Sequence, residues 1–131
     1  MNIRKFTLAT VAASVVMWLT AGLWHKVILA QFYTEQTGAD HGGTGVILIA
    51  YLILAAMMTS AYPKLNITGK PLVAGLKFGV FIGVLWVFPH ELAMAGAHSE
   101  SLVYPFQNAA VHIVEQGVGG ILIALIYKNE S

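Results

Sequence analysis

The hydrophobic and polar positions of this chain form long blocks instead of a short amphipathic period. Four apolar runs stand between short polar segments, at Phe6–Ala30, Thr44–Tyr62, Leu72–Gly96 and Phe106–Tyr127. A hydrocarbon core about 30 Å thick is crossed by roughly 20 residues of helix, so each run is long enough to span it. The pattern predicts four transmembrane helices in a single domain that covers residues 1–131.

The polar segments between the runs carry residues that end helices. They read "QTGADHGGTG" at 36–45, "YPKLNITGKP" at 62–71 and "SESLVYP" at 99–105. Glycine and proline are unfavourable inside a helix, whereas Pro105 suits the first turn of the fourth helix, where its missing N–H has no cost. Because each connection is short, neighbouring helices should run antiparallel. The expected fold class is an all-α integral membrane four-helix bundle with up-down-up-down topology.

Composition agrees with a membrane protein and excludes several other classes. Hydrophobic residues make up 57% of the chain and charged residues 10%, with a mean hydropathy of +0.72. Cysteine is absent, which excludes disulfides and thiolate metal sites. A net charge of +1 from scattered basic residues does not indicate a nucleic-acid partner. The first apolar run is about twice the length of a signal-peptide core and lacks a small-x-small cleavage site, so we interpret it as a helix that is retained.

The basic residues predict an orientation in the membrane. Only Lys26 falls near the far side, while the other basic residues share the side of the amino terminus: Arg4, Lys5, Lys64, Lys70, Lys77 and Lys128. Positive charge concentrates on the cytoplasmic side of membrane proteins. We therefore expect both termini in the cytoplasm, in the inner membrane of a bacterium, with the lipid bilayer as the surrounding partner.

Titratable residues concentrate in the half of the predicted bundle that faces away from the termini. His25, His90 and His112 lie at a similar depth on three different helices, and Glu115 lies near the midplane of the fourth. A charge at the bilayer centre costs at least about 2.5 to 3.5 kcal/mol, so Glu115 is expected to be protonated, paired or hydrated. Helical spacing places Asn108, His112 and Glu115 in one stripe. The candidate ligand-binding residues are His25, His90, Glu91, His112 and Glu115, with His98 and Asn108 as possible additions.

The chemistry of these side chains favours binding over catalysis. Imidazole and carboxylate groups together suit a divalent transition metal, and haem ranks behind it because no spacing indicates two axial histidines. The segment "HELAM" at 90–94 lacks the second histidine of a zinc-protease motif, and the single "HIVE" at 112–115 is too little for a di-iron bundle. We expect no enzymatic activity. The alternative is that these groups only fix helix packing through hydrogen bonds.

Small residues on the last two helices predict close helix packing. Gly75, Gly79 and Gly83 recur every four residues on the third helix, and Gly117 and Gly120 lie on the fourth. Such surfaces let helix backbones approach each other. The partner helix could belong to the same chain or to another one.

Three segments resemble a family of small bacterial inner-membrane proteins with four helices and no assigned function. They are "GLWHKVILAQFY" at 22–33, "PLVAGLKFGVFIGVLW" at 71–86 and "NAAVHIVEQGVGGILIALIY" at 108–127. The resemblance implies the four-helix fold and carries over no catalytic residue.

Three functions remain open at this point. The first is binding of a metal ion or a similar ligand at a His/Glu site in the outer, periplasmic half. The second is a cofactor-free accessory subunit that docks onto a larger membrane complex through its glycine surfaces. The third is a proton or metal-ion permease acting as a homodimer, with Glu115 carrying the ion past the midplane.

Overall fold

The computed structural model describes residues 2–31, 43–98 and 101–128. Four long helices account for most of this part of the chain: α1 (Ile3–Leu23), α2 (Thr44–Ala61), α3 (Pro71–His98) and α4 (Val103–Tyr127). All four, with the short helical turns that extend α1 and α2, are long and apolar enough to cross a membrane. The predicted all-α bundle with four spans is confirmed, and the observed ends differ from the predicted ones by a few residues.

The helix ends follow from local sequence. The side chain of Asn2 caps α1 by accepting a hydrogen bond from the Lys5 N–H at 3.2 Å. At the start of α4, Pro105 lies in the first turn, as predicted, since the backbone N–H groups there have no partner within the helix. Proline is also present inside α3, at Pro89, and the helix continues through it to His98.

The turn that directly follows α1 departs from α-helical geometry. Residues Trp24–Ile28 form a π-helical turn, closed by a hydrogen bond of 2.8 Å from the Leu29 N–H to the Trp24 carbonyl. Such turns are rare and often occur at functional sites, because the wider turn changes the direction of side chains within it. Here the turn contains His25.

α4 is the central element of the bundle. Its packing against α3 is the most extensive in the described residues, followed by α1 against α4 and α1 against α2. The glycines make the α3–α4 contact close: a Cβ built on Gly75 would lie 2.5 Å from the carbonyl oxygen of Gly120. One built on Gly83 would lie 2.8 Å from the Cα of Ile113, and Gly79 lies directly against the backbone of Gln116. The predicted glycine surfaces therefore pack within the chain, which settles the alternative left open by the sequence.

The outward surfaces of the helices are apolar. On α2, large side chains such as Val46, Ile49, Ile53 and Met57 are each more than half exposed. Side chains of this kind face lipid when a helix crosses a bilayer. The chain is a small multi-pass integral membrane protein, and the cytoplasmic location of its termini stays a prediction. We call the end of the bundle opposite the termini the distal end, and the end with the termini the proximal end.

Candidate functional site: a buried glutamate in the distal half

Glu115 is completely buried on α4, and two side chains contact one of its oxygens. The Tyr51 hydroxyl, from α2, donates a hydrogen bond of 2.6 Å to Oε2. The Nδ1 atom of His112, one turn earlier on α4, lies 2.8 Å from the same oxygen. We refer to these three residues as the Glu115 cluster.

The two oxygens of Glu115 differ in their surroundings. Oε2 has both contacts of the cluster, whereas Oε1 is buried and has no hydrogen-bond partner in the described part of the chain. A carboxylate accepts hydrogen bonds at both oxygens, and a carboxylic acid donates one through its O–H. Oε1 is therefore the atom at which Glu115 can take up a proton or contact a cation.

His112 connects this buried carboxylate to the distal end. Its side chain is 18% exposed. The indole ring of Trp86, on α3, approaches it edge-on with a centroid distance of 6.1 Å. The ring of His25, in the π-helical turn, lies at a centroid distance of 6.2 Å from that of His112. Three helices thus meet around one imidazole, and two of the histidines expected at a similar depth, His25 and His112, are neighbours.

Glu91 and Asn108 form a second polar pair in the distal half. The Asn108 side chain donates a hydrogen bond of 2.9 Å from Nδ2 to Oε1 of Glu91. Asn108 is buried on α4 and Glu91 is half-buried on α3, so the bond joins the two glycine-packed helices. Since Asn108 precedes His112 by four residues, the pair lies about one turn closer to the distal end than the Glu115 cluster.

His90 and His98 lie apart from the Glu115 cluster. Both are exposed, and Nδ1 of His98 lies 2.9 Å from the Met94 carbonyl of its own helix. With Glu91 they line an open groove of about 260 Å³ at the distal end of α3, completed by Met94, Ala95, Tyr104 and Pro105. The predicted candidates are therefore divided between a buried cluster and a surface groove.

The arrangement offers no complete set of metal ligands. Within residues 2–31, 43–98 and 101–128, no three histidine or carboxylate side chains are close enough together to hold one metal ion. His41, in the predicted outer loop, lies outside the described residues.

Two participants were missed by sequence reasoning. Tyr51 was not considered because a tyrosine in an apolar run is usually a packing residue, although its hydroxyl is a polar group in the outer half of α2. Gln116 is fully buried beside Glu115, and neither polar atom of its side chain has a hydrogen-bond partner among the described residues. A polar residue inside a predicted span was the signal available for both.

Tyr51→Phe should destabilise the fold by removing one donor from Oε2 of Glu115. An unmade hydrogen bond at a buried acceptor costs about 1–3 kcal/mol. We expect a loss in this range in the free energy of unfolding, measured by titrating mixed micelles with sodium dodecyl sulfate. Tyr62→Phe is the matched control, since the Tyr62 ring packs edge-on against Phe78 at 5.2 Å and keeps that contact. Equal losses for both variants would contradict a role for the Tyr51 hydroxyl.

Comparison with protein-family models, with curated proteins and with solved structures finds no match to this chain. The resemblance drawn from the sequence accordingly stays an expectation. Functional conclusions depend on the side chains themselves.

Proposed function

We propose that this small integral membrane protein binds and releases a proton at Glu115. The observation that supports it is the asymmetric carboxyl group: fully buried, held at Oε2 by Tyr51 and His112, and without a described partner at Oε1. A carboxylate in an apolar interior is stabilised by protonation, because the neutral acid has a much smaller desolvation cost. Orientation by two hydrogen bonds at one oxygen leaves the other oxygen available for the proton.

His112 is the group through which the proton reaches Glu115. Imidazole can hold a proton on either nitrogen and exchanges it near neutral pH, which makes histidine a common proton shuttle. Its partial exposure gives it contact with the distal surroundings, and its Nδ1 contacts the carboxylate. The other groups that face this pair are His25 from α1, Tyr51 from α2 and the indole of Trp86 from α3. We assign no catalytic residue. The basic residues of the sequence support placing the cluster in the periplasmic half of a bacterial inner membrane.

A divalent transition metal is the second candidate ligand for the same site. The neighbouring imidazoles of His25 and His112, together with Oε1 of Glu115, favour it chemically, because these are nitrogen and oxygen donors that such metals bind. The three groups would have to move closer to act as ligands, since the two imidazole rings are 6.2 Å apart. Haem ranks lower, because it would need two histidines to face each other across a wider space.

The accessory-subunit alternative loses its predicted docking surface. Gly75, Gly79 and Gly83 are buried against α4 of the same chain, so a partner protein would have to dock on another surface. The homodimer predicted for a permease is not needed for proton binding, because one chain supplies Tyr51, His112 and Glu115.

Infrared spectroscopy tests proton binding directly. Protein in lipid should show a carbonyl band of a protonated, buried carboxyl group that appears and disappears reversibly as the pH is changed. Glu115→Gln should lack this band, because an amide cannot titrate. Glu91→Gln is the control. It removes the other carboxylate side chain of the described residues, which is bonded to Asn108, and should leave the Glu115 band in place.

Two results would contradict the proposal. One is the absence of any titrating carboxyl band that Glu115→Gln removes. The other is a stoichiometric transition metal in the purified protein that is lost in both Glu115→Gln and His112→Phe, which would identify the ligand as the metal.

A further inference from the structure

Several hydroxyl groups inside the membrane helices bond to their own helix. Serine and threonine in membrane helices commonly donate to a carbonyl of their own helix, because lipid offers no water to accept a hydrogen bond from the hydroxyl. It occurs three times in the described chain, at 2.8 to 2.9 Å: from Ser14 to the Val11 carbonyl, from Thr20 to that of Val16 and from Ser60 to that of Ala56.

Thr10 and Thr59 depart from this behaviour. Thr10 is 6% exposed and Thr59 is fully buried, yet neither hydroxyl has a hydrogen-bond partner among the described residues. Both could have bonded to a carbonyl of their own helix. Buried polar groups are almost always satisfied, and where protein groups are missing the partner is usually an ordered water. The two threonines therefore indicate hydration inside the bundle.

Both threonines lie on the proximal side of the Glu115 cluster, on helix faces that point into the bundle. Thr59 follows Tyr51 by eight residues on α2, about 12 Å towards the proximal end. Thr10 precedes Met17 by seven residues on α1, about 10 Å in the same direction. Thr10, Ser14, Met17 and Ala21 are all buried and follow one helical stripe that leads towards the turn containing His25.

Met17 separates the two polar regions. It is fully buried and belongs to one apolar cluster with Ala55, Met58 and Ile123. Its side chain packs on Gly119, one turn proximal to Glu115: a Cβ built there would lie 2.7 Å from the Met17 Sδ. A methionine side chain is flexible and can change its rotamer without a backbone shift. Met17 is thus a movable side chain in the apolar cluster between Glu115 and the threonines.

We propose that Thr10 and Thr59 hold water in the proximal half, and that the proton bound at Glu115 crosses the membrane past Met17 to reach it. The inference rests on the proposed proton binding and adds translocation to it. A proton enters from the distal side through His112, neutralises the Glu115 carboxylate, and leaves from Oε1 to water on the proximal side. That departure restores the carboxylate, so the transported species is a proton alone and no co-reactant is consumed.

Proton flux into proteoliposomes tests the inference. Vesicles containing the protein and a trapped pH-sensitive dye are subjected to a potential imposed with potassium and valinomycin. We expect proton uptake well above that of empty vesicles, abolished in Glu115→Gln and lowered several-fold in Thr59→Val and Thr10→Val. The matched controls are Thr20→Val and Ser60→Ala, whose hydroxyls bond to their own helices, and these should conduct like the wild type. Met17→Ala should raise the flux, because it removes the side chain that the proton has to pass.

The outcomes separate translocation from proton binding. Wild-type flux equal to that of empty vesicles, together with an intact Glu115 infrared titration, would overturn translocation and leave proton binding in place. Wild-type flux in well-folded Thr10→Val and Thr59→Val would overturn the threonine pathway. If a valine variant fails to fold, the corresponding serine variant retains the hydroxyl and should conduct, and a non-conducting, folded Thr59→Ser would also contradict the role of the hydroxyl.

Discussion

Gly79→Ala should prevent the native packing of α3 against α4, although it adds only one methyl group. The added Cβ would be directed into the backbone of Gln116 and Gly117, and neither can move aside by changing a rotamer. Relief would require the two helices to separate along their most extensive contact. Overpacking of a core usually costs about 1–3 kcal/mol, and a clash with backbone lies beyond that range, so we expect a loss of about 4 kcal/mol or more.

Gly96→Ala on the same helix is the matched control. A Cβ at Gly96 has no atom within 4 Å, so alanine there should be tolerated and should stabilise α3 by about 0.5–1 kcal/mol through its higher helix propensity. Denaturation of both variants in mixed micelles measures the difference. Similar free energies of unfolding for the two alanine variants would mean that the close approach of α3 and α4 is not required for stability.

His112→Phe should have the second largest effect. Phenylalanine retains a ring that can pack against Trp86, but it removes the nitrogen 2.8 Å from Oε2 of Glu115. Breaking a buried pair by removing one partner costs about 3–5 kcal/mol. Here the carboxyl group of Glu115 would stay buried with less compensation, from the hydrogen bond of Tyr51. We expect a loss of stability in this range in the wild-type background.

A double-mutant cycle isolates the contribution of the pair. In a Glu115→Gln background the same His112→Phe change should cost much less, since no charge is left without its partner. An equal cost in both backgrounds would show that the histidine acts through ring packing and not through the carboxylate. Tyr51→Phe in the same cycle measures how far the two donors of Oε2 depend on each other.

The number and type of helices follow directly from the sequence. Runs of apolar residues of bilayer length have one stable arrangement in lipid, because a helix satisfies every backbone hydrogen bond within itself. The short-range contacts were equally accessible: His112 and Glu115 are three residues apart on one helix, and that spacing alone brings them together. Local rules were sufficient wherever both partners belong to the same helix.

Predicting contacts between helices requires the rotation of each helix about its own axis, and the sequence shows that rotation only in part. Extending the four-residue spacing of Gly75, Gly79 and Gly83 along α3 reaches Val87, Glu91 and Ala95, which are buried or half-buried in the structure. The same extension leaves His90 and His98 off the packed face. Had the glycine stripe been followed to the distal end, Glu91 would have been separated from the two histidines at the outset.

Two features were beyond pattern analysis. The pairing of Tyr51 with Glu115 depends on the relative height of α2 and α4, which are joined through α3 and two connections, so sequence spacing contains no information about it. The π-helical turn at Trp24–Ile28 sets the direction of His25, and nothing in "WHKVI" distinguishes it from an ordinary helical turn.

The central position of α4 has a consequence for how the protein is made. Membrane helices enter the bilayer one after another and associate afterwards. α4 is the last of the four to leave the ribosome, yet it supplies the surface on which both α1 and α3 pack. Until it arrives, the glycine face of α3 lacks the helix against which it packs, and Tyr51 lacks its contact with Glu115. Assembly of the bundle is therefore a late, post-insertion event, and the insertion of a single helix, with Glu115 in it, determines when the first three helices become a folded protein.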